Sequence, residues 1–91
     1  MTTPFPAATA ALERLAAALD PREFTTTLTT GTGRPPRLAV ANRDADIGGD
    51  IYADHAAYWW SWSERIASVT DPSAAARRVS AALRAIPAAR P

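Results

Sequence analysis

FTTTLTT at residues 24–30 and RLAVANR at residues 37–43 are the two stretches that most clearly predict a β-sheet in this chain. Five threonines in the first stretch favour a strand, because β-branched side chains are restricted in helices. In the second stretch Leu38 and Val40 alternate with small or polar residues, as in a half-buried strand. Residues 31–36 between them hold two glycines and two prolines, which interrupt regular structure. The two stretches predict an antiparallel hairpin with a loose loop.

Helical patterns lie on both sides of this hairpin. Leu12, Leu15 and Leu19 recur at helical spacing, and Asp20-Pro21 ends the pattern because residues before proline avoid helical backbone. Towards the other end, Asp71 is a typical N-cap residue and a proline occupies the first helical position. An apolar stripe follows, made of Ala75, Val79, Ala82, Leu83 and Ile86. We therefore predict amphipathic helices over residues 7–19 and from residue 72 to about 86.

YWWSW at residues 58–62 is the densest apolar run in the chain and predicts a further strand. A short strand at residues 51–53 precedes it. Alternation within the run sends Tyr58, Trp60 and Trp62 to one face and Trp59 to the other. Because large aromatic residues are usually buried, we expect the first three in the core. Trp59 would then mark a contact surface if it is exposed.

Length and composition indicate a single domain over residues 1–91, with an ordered core at about 7–87 and flexible ends at 1–6 and 88–91. Alanine occurs 22 times, and only 21 larger apolar side chains remain. With so small a core and no cysteine, homodimerisation is a plausible source of added stability. The predicted fold is α+β: an N-terminal helix, a three- to four-stranded antiparallel sheet and a C-terminal helix, with both helices on one sheet face.

The charge balance of the chain and its lack of long apolar runs limit the classes of partner that we expect. Ten basic residues, all arginine, oppose nine acidic ones, so the net charge of +1 gives little general attraction to nucleic acid or membrane. No apolar run approaches the roughly 20 residues of a membrane span, and the alanine-rich start lacks the cationic segment of a signal peptide. We expect a cytoplasmic protein with no membrane contact.

Arg34, Arg37 and Arg43 occupy the first hairpin, and they would form a basic surface near Trp59 on the outer side of the sheet. This surface suggests a non-enzymatic adaptor that binds a protein partner or a second copy of the chain. The alternative is RNA or DNA binding, with arginines on phosphates and aromatic rings on bases. The low net charge favours a protein partner over nucleic acid. The element order also resembles that of double-stranded RNA-binding domains, but the second helix begins with an aspartate, the wrong sign for phosphate.

Catalytic and metal-binding patterns are weak. His55 is the single histidine and follows Asp54, but no nucleophile motif surrounds the nearby serines and no phosphate loop occurs. Residues 42–50 repeat oxygen-bearing side chains, yet Ile47 and Ala53 stand where a calcium loop needs Gly and Glu. We expect no catalytic residue, metal site or cofactor; a pocket containing His55 and Asp54 would instead favour an enzyme.

Four short runs resemble a group of small uncharacterised actinobacterial proteins, especially from streptomycete-like genomes. They are PREF at residues 21–24, RLAVANR at 37–43, DIYA at 50–53 and YWWSW at 58–62. The resemblance covers residues 20 to about 86 and is most specific in the last run. The group has no established activity, so the resemblance implies no catalytic residue. Its members occur near helix-turn-helix regulators, which implies a role accessory to a regulatory system.

Overall fold

The described part of the chain folds as a helix, five strands and a second helix. The computed structural model describes residues 6–31, 34–44 and 47–83. Its elements are α1 (Pro6–Ala18), β1 (Phe24–Gly31), β2 (Arg34–Asn42), β3 (Gly48–Ala53), β4 (Ala57–Trp60), β5 (Arg65–Ser68) and α2 (Pro72–Leu83). The predicted α+β class and element order are confirmed, with one strand more than predicted. Over the residues that the structure describes, neither helix is long and apolar enough to cross a membrane.

Three predictions concern the ends of the chain. The predicted flexible segment 88–91 lies outside the described residues, and so do residues 1–5 of the other predicted flexible end. Residue 6, which was also placed in that end, begins α1. The predicted last turn of the second helix, with Ile86, falls outside the described residues as well.

All five strands form one antiparallel sheet in chain order, from β1 at one edge to β5 at the other. The predicted hairpin is confirmed, with β1 and β2 in continuous register from Phe24 to Thr29. β2 begins earlier than predicted and includes Pro35 and Pro36. β3 pairs with residues 38–41 of β2, so these prolines lie outside the doubly paired part of the strand, where a missing N–H costs least.

The aromatic run divides between a strand and a turn. β4 ends at Trp60, since the Ser63 N–H donates to the Trp60 carbonyl and the Trp60 N–H donates to the Glu64 carbonyl, both at 2.9 Å. Ser63 adopts φ 71°, the left-handed conformation that such a tight turn needs. The prediction that Trp62 belongs to the core is therefore wrong. Trp62 lies in the turn and its side chain is 57% exposed, because strand alternation ends with the strand.

β5 follows this turn and is the strand that was not predicted. Trp59 pairs with Arg65 and Tyr58 pairs with Ala67, so Ile66 is the extra residue of a β-bulge. Ile66 and Ala67 are both buried, although they are neighbours in sequence. The bulge removes the apolar/polar alternation by which a strand is recognised, and four residues are too few to restore it.

Both helices pack on the same face of the sheet, called here the inner face, as predicted. α1 lies over β1, β2 and β3, while α2 contacts β5 and α1. The small side chains of Ala11, Ala75 and Ala76 are buried and allow close helix packing. The larger core residues are Leu12, Leu15, Leu19, Phe24, Leu38, Val40, Ile51, Tyr58, Trp60, Ile66, Val79 and Leu83.

α2 is fixed at both ends by side-chain hydrogen bonds. The Ala74 N–H donates to Asp71 Oδ1 at 3.0 Å, which confirms the predicted N-cap. At the other end, Asn42 Nδ2 donates to the Leu83 carbonyl at 2.8 Å. Ala82 is exposed, contrary to the predicted stripe, and Ala76 takes its place among the buried residues. The helix is therefore rotated by a fraction of a turn from the predicted orientation.

Candidate interaction surface

The face of the sheet opposite the helices, called here the outer face, is open to solvent in the described part of the chain. Strand alternation and pairing place on it Thr25, Thr27, Thr29, Arg37, Ala39, Ala41, Gly48, Asp50, Tyr52, Trp59 and Arg65. None of these residues is buried. Most are small, so the face is flat except where the arginines and aromatic residues stand.

Five of these residues form a single row across the sheet, which we call the outer row. Thr29 pairs with Arg37, Tyr52 pairs with Trp59, and Trp59 pairs with Arg65. Arg37 and Tyr52 line the same cleft, and the β2–β3 register continues to place them side by side. Two half-buried aromatic residues are thus flanked by two exposed arginines. At about 4.8 Å per strand, the two arginine backbones lie about 14 Å apart.

Trp59 is held by the turn that leads into its own strand. Its indole Nε1–H donates to Asp54 Oδ2 at 3.0 Å. The other carboxylate oxygen, Asp54 Oδ1, accepts the N–H groups of Ala56 and Ala57 at 2.8 and 2.7 Å. One aspartate therefore closes the β3–β4 turn and orients the indole on the outer face. Sequence reasoning placed Asp54 beside His55 in a turn but missed this contact, because it depends on the turn geometry.

These hydrogen bonds hold the pKa of Asp54 below its ordinary value, chiefly through the backbone N–H of Ala57 and then that of Ala56, while burial opposes them. The indole of Trp59 and the charge of His55 also lower the pKa. Both Asp54 oxygens are thus occupied by the turn and by Trp59. In this arrangement Asp54 acts as a positioning group for Trp59.

The hydrogen bond from the Trp59 indole to Asp54 can be tested by its dependence on acid pH. A lowered pKa in the folded state stabilises the fold above the unfolded pKa, and this contribution is lost as pH falls through the folded pKa. The expected loss is small because Asp54 is exposed. We expect the Trp59 indole N–H resonance to titrate at a lower pH than the aspartate of a peptide of residues 52–60, whose pKa should be ordinary. A pH-independent resonance, or one unchanged in Asp54→Asn, would contradict the contact.

The three arginines singled out from the sequence do not form one group. Arg37 stands in the outer row, with Nη1 3.9 Å from Asp50 Oδ2 in a loose, exposed pair of little energetic weight. Arg34 lies three residues earlier, near the hairpin end. Arg43 follows the opposite end of β2, where its Nε donates to the Pro21 carbonyl at 2.7 Å. Nine residues of strand, roughly 30 Å, separate Arg34 from Arg43.

Arg65 takes the position beside Trp59 that the sequence suggested for Arg43. The sequence did not place Arg65 beside Trp59, because that position depends on the fifth strand and its bulge, neither of which was predicted. Arg34, Arg37 and Arg65 therefore lie towards one end of the sheet, and Arg43 lies at the other end.

A shallow cleft of about 630 Å³ adjoins the outer row at the hairpin end. Two guanidinium groups, the Tyr52 ring and two threonines face it. The lining residues are Thr29, Thr30, Gly31, Arg34, Pro35, Arg37 and Tyr52. Arginine guanidinium groups favour carboxylate or phosphate oxygens, so the cleft suits an anionic group of a bound molecule.

A second aromatic pair lies on the inner side of the sheet. The rings of Trp60 and Trp62 are stacked, with centroids 4.8 Å apart and planes 8° apart. Trp62 Nε1 donates to Glu64 Oε1 at 3.0 Å. Gly49 provides the space, because a Cβ there would lie 2.8 Å from Trp60 Cζ3. Trp62 is exposed but is separate from the outer row.

No protein family model, curated protein or solved structure matches the chain. The function is therefore inferred from the structure of this chain. Within residues 6–31, 34–44 and 47–83, no group of three or more His, Cys, Asp or Glu side chains could hold a metal ion. Residues 45 and 46 of the calcium-like stretch lie outside the described residues.

Proposed function

We propose that this protein is a non-enzymatic interaction module that binds a protein, either a partner or a second copy, through the outer face of its sheet. One observation carries the proposal: the outer row places Tyr52 and Trp59 side by side on an open sheet face. The proposed setting is the cytoplasm, which the lack of cysteine supports.

The composition of the outer row matches the residues that dominate protein interfaces. Tyrosine, tryptophan and arginine are enriched among residues whose removal weakens binding most. Strand pairing and the hydrogen bond to Asp54 already restrain Trp59, so little side-chain entropy is lost when it is covered. The small residues beside the row, such as Thr27 and Ala39, let a partner approach closely.

A pair of tryptophan variants separates this face from the rest of the surface. Affinity capture from the native cell should recover the same partner with the wild-type chain and with Trp62→Ala, and lose it with Trp59→Ala. Trp62 is the matched control because it is an exposed tryptophan on the other side of the sheet. Truncating an interface tryptophan typically costs about 2 kcal/mol or more, or about thirtyfold in affinity. Loss of the partner with Trp62→Ala alone would contradict the proposal.

Single-stranded nucleic acid is the second candidate for the bound molecule. It is supported by the outer row, in which Arg37 and Arg65 stand on either side of two aromatic residues. Bases would stack on Tyr52 and Trp59 while phosphates contact the guanidinium groups. The net charge of +1 and the acidic neighbours Asp50 and Asp54 rank it second. Labelled single-stranded RNA and DNA should then bind in low salt, weaken steeply with added salt, and lose affinity with Trp59→Ala. No binding in low salt would remove this candidate.

A further inference from the structure

β1 forms one edge of the sheet, and part of its backbone faces outward. The Arg43 N–H donates to the Glu23 carbonyl at 2.9 Å, while the next N–H along, that of Asn42, donates to the Ile47 carbonyl on the β3 side. Hydrogen-bonded and non-bonded pairs alternate in an antiparallel ladder. The β1–β2 register therefore directs the N–H and C=O groups of Thr26 and Leu28 away from β2. No described strand lies beyond them.

The β1 edge lacks the features that usually prevent edge-to-edge pairing. Proteins protect such edges with charges, prolines, bulges or short strands. β1 has eight residues, FTTTLTTG, with no charged residue and no proline. Its pairing with β2 is regular from Phe24 to Thr29, and the register shifts only at the end of the strand, between Thr29 and Gly31. The β5 edge is protected, since it has only four residues, carries Arg65, contains the bulge and contacts α2.

We propose that a second copy of this chain pairs with β1 along this edge, with the two β1 strands antiparallel. The strand is complementary to itself: any antiparallel self-pairing within residues 25–30 brings only uncharged threonine and leucine side chains opposite each other. No like charges meet, and threonine pairs are favourable across strands. Such pairing has two-fold symmetry, the commonest arrangement in homo-oligomers.

The side chain of Leu28 adds an apolar contact to this pairing. It lies on the inner face at the edge of the core and is only partly buried. A two-fold axis normal to the sheet joins the two sheets into one of ten strands, with the helices of both copies on the same side. In the register that pairs Leu28 with Leu28, these two side chains meet on that side. This interface is distinct from the outer row, so the edge proposal can hold or fail independently of the proposed function.

Sedimentation velocity of the full chain across micromolar to millimolar concentration tests the edge pairing. Thr25→Lys/Thr27→Lys places charges along the β1 edge strand, and it should raise the dimer dissociation constant by about tenfold or more. Ala39→Lys/Ala41→Lys is the matched control, because these residues pair with Thr27 and Thr25, lie on the same face and add the same charge one strand inward. The control variant should remain dimeric, with circular dichroism confirming that both variants fold.

Amide hydrogen exchange locates the interface independently of the variants. In the dimer, the N–H groups of Thr26 and Leu28 should become protected to the level of Thr25 and Thr27, and dilution should remove this protection. A chain that stays monomeric at millimolar concentration would overturn the proposal. A dimer that survives the Thr25/Thr27 variant, or that leaves Thr26 and Leu28 in fast exchange, would overturn it too. A dimer broken only by the Ala39/Ala41 variant would assign self-association to the outer face.

Discussion

Replacing Tyr58 by alanine is expected to lower the free energy of unfolding by about 3–5 kcal/mol. The side chain of Tyr58 is fully buried between the sheet and α1, and its hydroxyl donates to the Ala11 carbonyl at 2.6 Å. Alanine would leave a cavity in a small core and remove this link between layers. Since domains of this size are stable by about 5–15 kcal/mol, the loss should be visible as a large fall in the urea midpoint.

The variant Tyr58→Phe separates the hydrogen bond from the packing. It should lower the free energy of unfolding by about 1 kcal/mol, because only the hydrogen bond from the hydroxyl to the Ala11 carbonyl is lost and the ring still fills its place in the core. A cost equal to that of the alanine variant would show that the hydroxyl, and not the ring volume, is the main contribution.

Tyr58→Phe should also change the alkaline limit of stability. Burial raises the pKa of Tyr58 above 10.0, with Arg14 opposing this more weakly. A raised pKa in the folded state gives a contribution that is complete below the unfolded pKa and is lost as pH rises through the folded pKa. The wild-type chain should therefore lose stability above about pH 10 more steeply than Tyr58→Phe. Parallel pH profiles for the two proteins would contradict this account.

The substitution Gly49→Ala is expected to destabilise the fold by about 1–3 kcal/mol and to disturb the Trp60–Trp62 stack. The new Cβ would lie 2.8 Å from Trp60 Cζ3 and 3.4 Å from Trp62 Cη2. Trp60 is almost completely buried, so its ring has little freedom to withdraw. Near-ultraviolet circular dichroism would report the change in stacking, and urea unfolding would report the loss of stability.

Gly31→Ala is the matched control for this prediction. Gly31 also lies in a strand, but a Cβ there would have no atom within 4 Å. Its replacement should change stability by about 0.5 kcal/mol or less. Equal costs at the two positions would show that the contact with Trp60 has no special weight.

Local sequence patterns were sufficient for most elements of this fold. β1, β2 and α2 could be predicted because their signals act within a few residues. These signals are the threonine-rich stretch, the alternation around Leu38 and the Asp71 N-cap. β5 could not be, because its bulge places Ile66 and Ala67 together in the core and removes the alternation. The end of β4 depends on the left-handed conformation of Ser63, for which the sequence carries no strong signal.

The proposed interaction surface was predicted in part. Alternation correctly separated Trp59 from Tyr58 and Trp60, and Arg37 was assigned to the outer face. Arg43 was grouped with them because it belongs to the same stretch, yet strand length places it far from Trp59. Arg65 was missed because it reaches Trp59 only through the bulged β4–β5 pairing.

Local patterns in the amino-acid sequence are enough to specify two alanine-rich helices and an antiparallel sheet, with a core limited to few large side chains. Those properties follow from periodicity, propensity and capping, which are local. Three features come from tertiary structure instead: Trp62 is exposed, Arg65 completes the outer row and β1 is an edge strand. Each of these depends on which strands become neighbours and in what register, and that choice is made by the burial of the whole core.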